Sequence, residues 1–141
     1  MLMFKNVLVG VDGRINGRDA IALASQLVGP DGKLTLVHVH RDEAAEREYS
    51  DKLLEEERIA AAVEAELLSV AATSPGRGLH QQAKELGADL LVVGSCSHGV
   101  LGRAMLGDDT RAALNGAPCT VAIATHGYAE HLKPNAEVGV G

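Results

Sequence analysis

Residues that could do chemistry are concentrated in the glycine-bearing segment that follows the apolar run 90–93. Gly94 ends this run, and Gly107 precedes Asp108, a residue type that often begins a helix. Glycines let the backbone approach phosphate oxygens closely, and the unpaired amides of a helix start donate hydrogen bonds to those oxygens. The pattern therefore predicts either a phosphate-binding loop or the ordinary turns that follow a strand, and loose glycines more often mean turns.

The remaining polar residues form no recognisable catalytic set. The chain has no nucleophile elbow, no Ser–Lys pair, and no G-x-G-x-x-G after its first apolar run. It also lacks the acidic cluster and the lysine that a response-regulator receiver would need. We therefore predict a protein that acts by binding and is not an enzyme.

The histidines and cysteines do not form a recognisable metal site or redox pair either. His38 and His40 alternate onto one face of a predicted strand, whereas Cys96 and His98 lie in the loop after a different strand. No standard ligand spacing is present, so we predict no metal site. Cys96 has no partner in a C-x-x-C arrangement, and the sequence around Cys119 is typical of a small buried hydrophobic residue.

Apolar runs alternate with helical patterns along most of the chain. The predicted strands are 7–11, 34–39, 68–73, 90–93 and 119–124. The predicted helices begin at residue 16, cover 42–68, run from the Ser74-Pro75 pair to Gly87, and span 108–115. Within 42–68 we place Ile59, Val63 and Leu67 on one apolar stripe, and we expect residues 29–32 to end the first helix as a turn. Such alternation predicts parallel strands joined by right-handed crossovers.

The whole pattern, from residue 4 to about 125, resembles the universal stress protein family. In that family a glycine, two residues, a second glycine, nine residues, a third glycine and a serine or threonine hold the phosphates of ATP. Gly94 and Gly107 stand in register with the first and third glycines. The resemblance implies an α/β fold: an open five-stranded parallel sheet in the order 3-2-1-4-5, with helices on both faces (Rossmann-like). Ligands of such sheets bind where the strand order reverses, here between strands 1 and 4.

The resemblance also implies a nucleotide site at this switch point. Adenine would lie against the backbone of Val39, and Asp12 would lie near the ribose or a metal on the phosphates. Ten residues make up the predicted nucleotide-binding site: Asp12, Gly13, Arg14, Val39, Gly94, Ser95, Ser97, Gly107, Asp108 and Asp109. The implied cofactor is ATP or AMP, with or without a divalent cation.

Three residues depart from the family pattern. Ser97 occupies the second glycine position, Asp108 occupies the hydroxyl position, and Arg14 stands where many members carry a serine. A carboxylate at Asp108 can only accept hydrogen bonds, repels phosphate, and as a helix N-cap would take up the amides that a ligand needs. Arg14 either pairs with Asp108 or Asp109, contacts a bound phosphate, or is a solvated loop residue.

These departures leave alternative functions. The first is a nucleotide-binding module whose occupancy by ATP or AMP changes the surface that partners contact. The second is a nucleotide-independent dimeric stress scaffold, in which Asp108 and Arg14 close the phosphate site. A third, more remote alternative is slow ATP hydrolysis, which would require Asp12 or Asp108 to hold a divalent metal.

Composition limits the partners. The chain has 141 residues, a net charge of −6, 46% hydrophobic residues and 2% aromatic residues. This size predicts one domain with a core of Val, Leu, Ile and Ala. The acidic balance and few aromatics argue against nucleic acid and anionic membranes as partners. We find no apolar run of membrane-spanning length and no signal peptide, and we expect a reducing cytoplasm.

The two ends of the predicted domain suggest how it assembles. Strand 5, residues 120–124, is apolar throughout and would lie at the sheet edge, where an exposed strand favours pairing. We expect a homodimer through this strand, as members of the family commonly form, with a polar tail that covers the edge as the alternative. The expected domain covers residues 1–125, and we predict a flexible C-terminal tail for 126–141.

Overall fold

The computed structural model describes residues 3–11, 16–94, 111 and 113–132, with the side chains of 16, 17, 131 and 132 excepted. These residues include nine elements: β1 Phe4–Gly10, α1 Asn16–Leu27, β2 Val28–His40, α2 Ala44–Ala61, β3 Glu66–Ala71, α3 Pro75–Leu86, β4 Leu90–Gly94, β5 Thr120–Ala124 and α4 Tyr128–Leu132. Arg111, Ala113 and Leu114 are helical, as predicted for 108–115, while 108–110 and 112 lie outside the described residues.

The five strands form one parallel sheet in the order β3-β2-β1-β4-β5, which confirms the predicted fold. β1 is the central strand, because Val9 pairs with Leu36 on one side and with Val92 on the other. The chain therefore adds β2 and β3 on one side of β1, crosses back over the sheet, and adds β4 and β5 on the other side of β1. This return makes the switch point.

Alternation along each strand divides the apolar side chains between two cores. On one face, α1 and α2 cover Val7 and Val9 of β1 and their neighbours on β2 and β4. On the other face, Leu79 and Ala83 of α3 cover Leu8 and its neighbours. Each fully buried Leu or Ile side chain contributes about 1.5–3 kcal/mol through removal from water. Among the described residues, the fully buried side chains are aliphatic, as predicted, with Ser50 as the exception.

The long helix differs from its prediction. It covers Ala44–Ala61 and ends at Ala62, which adopts a left-handed conformation with φ of 53°, and β3 begins at Glu66. The predicted stripe was wrong, because Ile59 is 64% exposed on the water side of the helix and Leu67 belongs to β3. The prediction joined a helix and a strand into one element. Leu67 fits the helical spacing because, from its position in β3, it packs against the same core as α2.

Residues 29–32 also differ from their prediction. α1 ends at Leu27, and the four residues lie inside β2, where the pairing with β1 jumps from Phe4–Val28 to Asn6–Lys33. The turn chemistry of Gly-Pro-Asp-Gly therefore produces a bulge between two paired parts of one strand. Gly32 allows it, because a Cβ there would lie 2.6 Å from Cγ2 of Val28 and 2.9 Å from the carbonyl oxygen of Phe4.

The caps of α3 follow the sequence signals. Ser74 is the N-cap, and its side chain accepts a hydrogen bond from the amide of Arg77 at 3.4 Å. Pro75 begins the helix, and Gly87 ends it with a φ of 66°. Among the described residues, no helix combines the length and the apolar character needed to cross a bilayer.

Candidate functional site

The carboxyl ends of β1, β2 and β4 meet at the switch point. Gly10, the last residue of β1, pairs with Val37 of β2, and the amide of Val11 donates to the carbonyl oxygen of Val37 at 2.8 Å. On the other side, Val9 pairs with Val92, two residues before β4 ends at Gly94. The end of β1 therefore lies between the strand ends that carry Val39 and Gly94, which is where open α/β sheets bind ligands.

Two of the ten predicted site residues belong to the described residues: Val39 lies in β2 and Gly94 in β4, the two strands beside β1. The other eight lie outside the described residues and stay predictions: Asp12, Gly13, Arg14, Ser95, Ser97, Gly107, Asp108 and Asp109. The structure thus gives three adjacent strand ends at the switch point, with β1 between the other two.

Close packing by α3 holds Val39 in place. A Cβ on Gly78 would lie 2.9 Å from both Cγ atoms of Val39, so α3 could not pack this close to the side chain with a larger residue at position 78. Gly10 has the same relation to α3, because a Cβ there would lie 2.9 Å from Cδ1 of Leu79. The side chain of Val39 is therefore packed into the α3 face, and its backbone forms the strand end at the switch point.

His38 and His40 lie on the opposite face of β2 from Val39, the face covered by α1 and α2, as the alternation predicts. His40 is 7% exposed, and its Nδ1 lies 2.5 Å from the carbonyl oxygen of Arg41. Across the described parts of the chain, no three His, Cys, Asp or Glu side chains converge as a metal site would require.

A polar cluster under α2 was not foreseen from the sequence. Nδ1 of His38 lies 2.7 Å from Oγ of Ser50, and Ser50 Oγ lies 2.8 Å from Oγ of Ser69. Ser69 Oγ in turn donates to Oδ1 of Asp51 at 2.6 Å. The available signal was the polar His38 at an inward position of β2, two residues after the buried Leu36.

Asp19 was also missed as a structural residue. Its side chain is 4% exposed on α1, and its carboxylate accepts hydrogen bonds from the amides of Gly127 and Ala129, both at 2.9 Å. These bonds fasten α4 to α1. α4 lies within the segment 126–141 for which the sequence predicted a flexible tail, and residues 133–141 lie outside the described residues.

Cys119 is half-buried just before β5 and packs against the α3-side core. Burial raises the pKa of the Cys119 thiol above its ordinary value, and the negative charge of Asp89 raises it further. The thiol is therefore protonated at neutral pH and is a poor nucleophile. This agrees with the structural role predicted for it, while Cys96 lies outside the described residues.

These features define an open parallel α/β protein whose strand order reverses at β1. Comparison with protein families identifies it further: the universal stress protein family model matches residues 3–125. The chain belongs to the universal stress protein family. A search of the curated proteins gave no match.

Solved structures of the family share the fold. A universal stress protein in complex with cAMP has a TM-score of 0.67 at 24% identity, covering 88% of this chain and 98% of that one. The universal stress protein UspA from Lactobacillus plantarum has a TM-score of 0.68 at 20% identity, covering 88% and 99%. A family member from Burkholderia pseudomallei has a TM-score of 0.65 at 21% identity, covering 87% and 97%.

Proposed function

We propose that this protein acts by binding an adenine nucleotide in the crevice between the ends of β1, β2 and β4, as a component of the stress response. The observation that supports this most is the reversal of strand order at β1, because ligands of open α/β sheets bind where the order reverses. Family membership and the relative in complex with cAMP support adenine as the base. The proposal does not include enzymatic turnover.

In this proposal the nucleotide lies across the end of β1. The backbone of Val39 contacts adenine, and Asp12, with Gly13 and Arg14 after it, lies near the ribose and phosphates. Gly94, Ser95 and Ser97 approach the phosphates from the β4 side, followed by Gly107 at a helix start. Asp108 and Asp109 place negative charge beside the phosphates, so the site favours AMP over ATP unless a divalent cation or Arg14 compensates.

Calorimetric titration with AMP, ATP and cAMP, each with and without Mg²⁺ or Mn²⁺, tests the proposal. We expect micromolar binding of at least one nucleotide. Asp108→Ser restores the family's hydroxyl and should strengthen ATP binding by roughly tenfold, the equivalent of about 1.4 kcal/mol. Asp31→Ser is the matched control, because Asp31 is exposed in the β2 bulge at the other end of the strand. Absence of heat with every nucleotide would refute the proposal.

The second candidate is the nucleotide-independent scaffold, with Arg14 paired to Asp108 or Asp109 in the phosphate site. It rests on the charge pattern of the chain, because two adjacent carboxylates next to Gly107 attract a cation in place of phosphate. The double variant Arg14→Ser with Asp108→Ser distinguishes the candidates. If the wild type binds no nucleotide and the double variant does, self-closure of the site is supported.

We also propose a homodimer that pairs β5 with its twofold mate. β5 lies at the sheet edge beside β4, and Val121, Ala122 and Ile123 are only half-buried. α4 packs on α1 by way of Asp19, so this part of the tail is held against a helix. A monomer in light scattering at micromolar concentration would contradict the dimer. A cytoplasmic location, favoured by the low cysteine content, belongs to the same proposal.

A further inference from the structure

The polar cluster under α2 joins three elements at one point. His38 of β2 and Ser69 of β3 are direct partners in the strand register, and both side chains point to the α2 face. Ser50 of α2 lies over the pair and reaches both, with its side chain fully buried. The exposed Asp51 follows it along the helix and accepts from Ser69.

Counting the available protons shows which atom donates in each hydrogen bond of this cluster. An ionised carboxylate only accepts hydrogen bonds, so the Ser69 hydroxyl proton must point to Asp51. Ser69 can then take part in its contact with Ser50 only as the acceptor, so the Ser50 hydroxyl proton points to Ser69. With its proton used there, Ser50 must accept from His38, and Nδ1 of His38 must carry a hydrogen. The charge of Asp51 thus sets the protonated nitrogen of a ring three hydrogen bonds away.

The burial of Ser50 makes it energetically costly to reverse the donor and acceptor roles in these hydrogen bonds. Ser50 has no access to water, and a buried hydroxyl that lacks a partner is strongly unfavourable. Its bonds to His38 and Ser69 lie in a low-dielectric region where successive hydrogen bonds polarise one another. The ring of Tyr49 meets that of His38 edge-to-face at 6.1 Å between centroids, which restricts the imidazole further.

The buried face of α2 is narrow. Of its eighteen residues only Ser50, Leu53 and Leu54 are buried, so one of its three buried residues is polar. We infer that Asp51, Ser69, Ser50 and His38 form a one-way hydrogen-bond relay that fixes the tautomer of His38 and tethers α2 to β2 and β3. The relay is a conformational device built into the fold, and it does not depend on the nucleotide proposal.

Nitrogen-15 chemical shifts of the histidine rings test the relay, because they distinguish the two neutral tautomers from the charged ring. The spectra are compared at a pH at which the His38 ring shows the neutral pattern. We expect Nδ1 of His38 to carry the proton in the wild type. In Ser69→Ala, Ser50 loses its acceptor and turns its hydroxyl proton to His38, so Nε2 should become the protonated nitrogen in most molecules. Ser69 makes no direct bond to His38 in the relay, so a purely local contact would not produce this change.

Two further variants keep the test decisive. Asp51→Ala removes the acceptor at an exposed position, so it should fold and should lower the fraction of the Nδ1–H form. Ser25→Ala is the matched control, because the Ser25 hydroxyl bonds only the carbonyl of Ile21 in its own helix among the described residues. Amide exchange in the first half of α2 should be several-fold faster in Ser69→Ala and Asp51→Ala than in the control.

Two outcomes would overturn the relay. One is an unprotonated Nδ1 of His38 in the wild type, which would reverse the direction deduced from Asp51. The other is a Nδ1–H form that persists unchanged in both Ser69→Ala and Asp51→Ala, which would show that neither residue controls the ring.

Discussion

Replacement of Thr35 by valine should stabilise this protein. Thr35 lies in the middle of β2, is 3% exposed, and pairs with the buried Leu8 of β1. Its Oγ1 is buried, and among the described residues no group forms a hydrogen bond with it. Valine has the same shape but replaces the hydroxyl by a methyl group, so the variant keeps the packing and removes an unsatisfied polar atom.

The expected gain follows from the cost of that hydroxyl. A buried polar group without a partner costs about 1–3 kcal/mol in proteins, and a small part of this returns as relaxation around it. We therefore expect Thr35→Val to raise the free energy of unfolding by about 1–2 kcal/mol. This corresponds to a rise in Tm of roughly 2–8 °C for a domain of this size.

Urea unfolding followed by circular dichroism measures the change, with protein concentration held constant because association shifts apparent stability. Thr73→Val is the matched control, because Thr73 is exposed in the bend after β3 and lies outside the proposed dimer strand, so its effect should stay within about 0.5 kcal/mol. If Thr35→Val is less stable than the wild type at an unchanged m-value, the hydroxyl has a hydrogen-bond partner and the reasoning fails.

Three further predictions concern packing and charge. Leu54→Ala should cost about 2–5 kcal/mol, because Leu54 is fully buried under α2, whereas Ile59→Ala should cost less than about 0.5 kcal/mol; equal effects in urea unfolding would contradict the helix face described above. Gly32→Ala should cost about 1–3 kcal/mol through the clash of its Cβ with the Phe4 carbonyl, and a neutral result in thermal melts would contradict the bulge geometry. The carboxylate of Asp89 loses a small part of its hydration in the fold, which raises its pKa. Hydrogen bonds from the amides of Lys5 and Asn6 outweigh this effect and hold the pKa below its usual range. A lowered pKa stabilises the fold above the unfolded-state value of about 4, so Asp89→Asn should cost about 1 kcal/mol at pH 7 and progressively less as the wild-type carboxyl protonates in acid; a cost that does not fall with pH in urea unfolding would refute this.

Local signals located most elements of the fold. The apolar runs that became β1 and β4 are buried on both faces, so their composition alone marks them as central parallel strands. Ser74 and Gly87 bound α3, because capping depends on a few adjacent residues. The switch point followed from strand order, and the order from the resemblance of nearly the whole chain to one family.

Boundaries of helices and strands that depend on pairing with a distant strand could not be predicted from the sequence. The stripe through Ile59 and Leu67 fitted a helix, yet pairing with β2 places Leu67 in β3. Residues 29–32 have turn chemistry, but β1 holds β2 on both sides of them and makes them a bulge. Periodicity within a single segment carries no information about such partners, because hydrogen bonds between strands join residues far apart in sequence.

The sequence by itself determined the class of this protein: a parallel α/β domain of five strands whose order reverses at β1, with Val39 and Gly94 on the two strands beside it. Tertiary structure alone decided which polar side chains meet. The relay from Asp51 to His38 and the attachment of Gly127 to Asp19 each join residues that are unremarkable where they stand in the chain. Hydrophobic periodicity and capping signals involve neighbouring residues and can be recognised in the sequence. A hydrogen bond between distant side chains exists only after folding has brought its two atoms within about 3 Å.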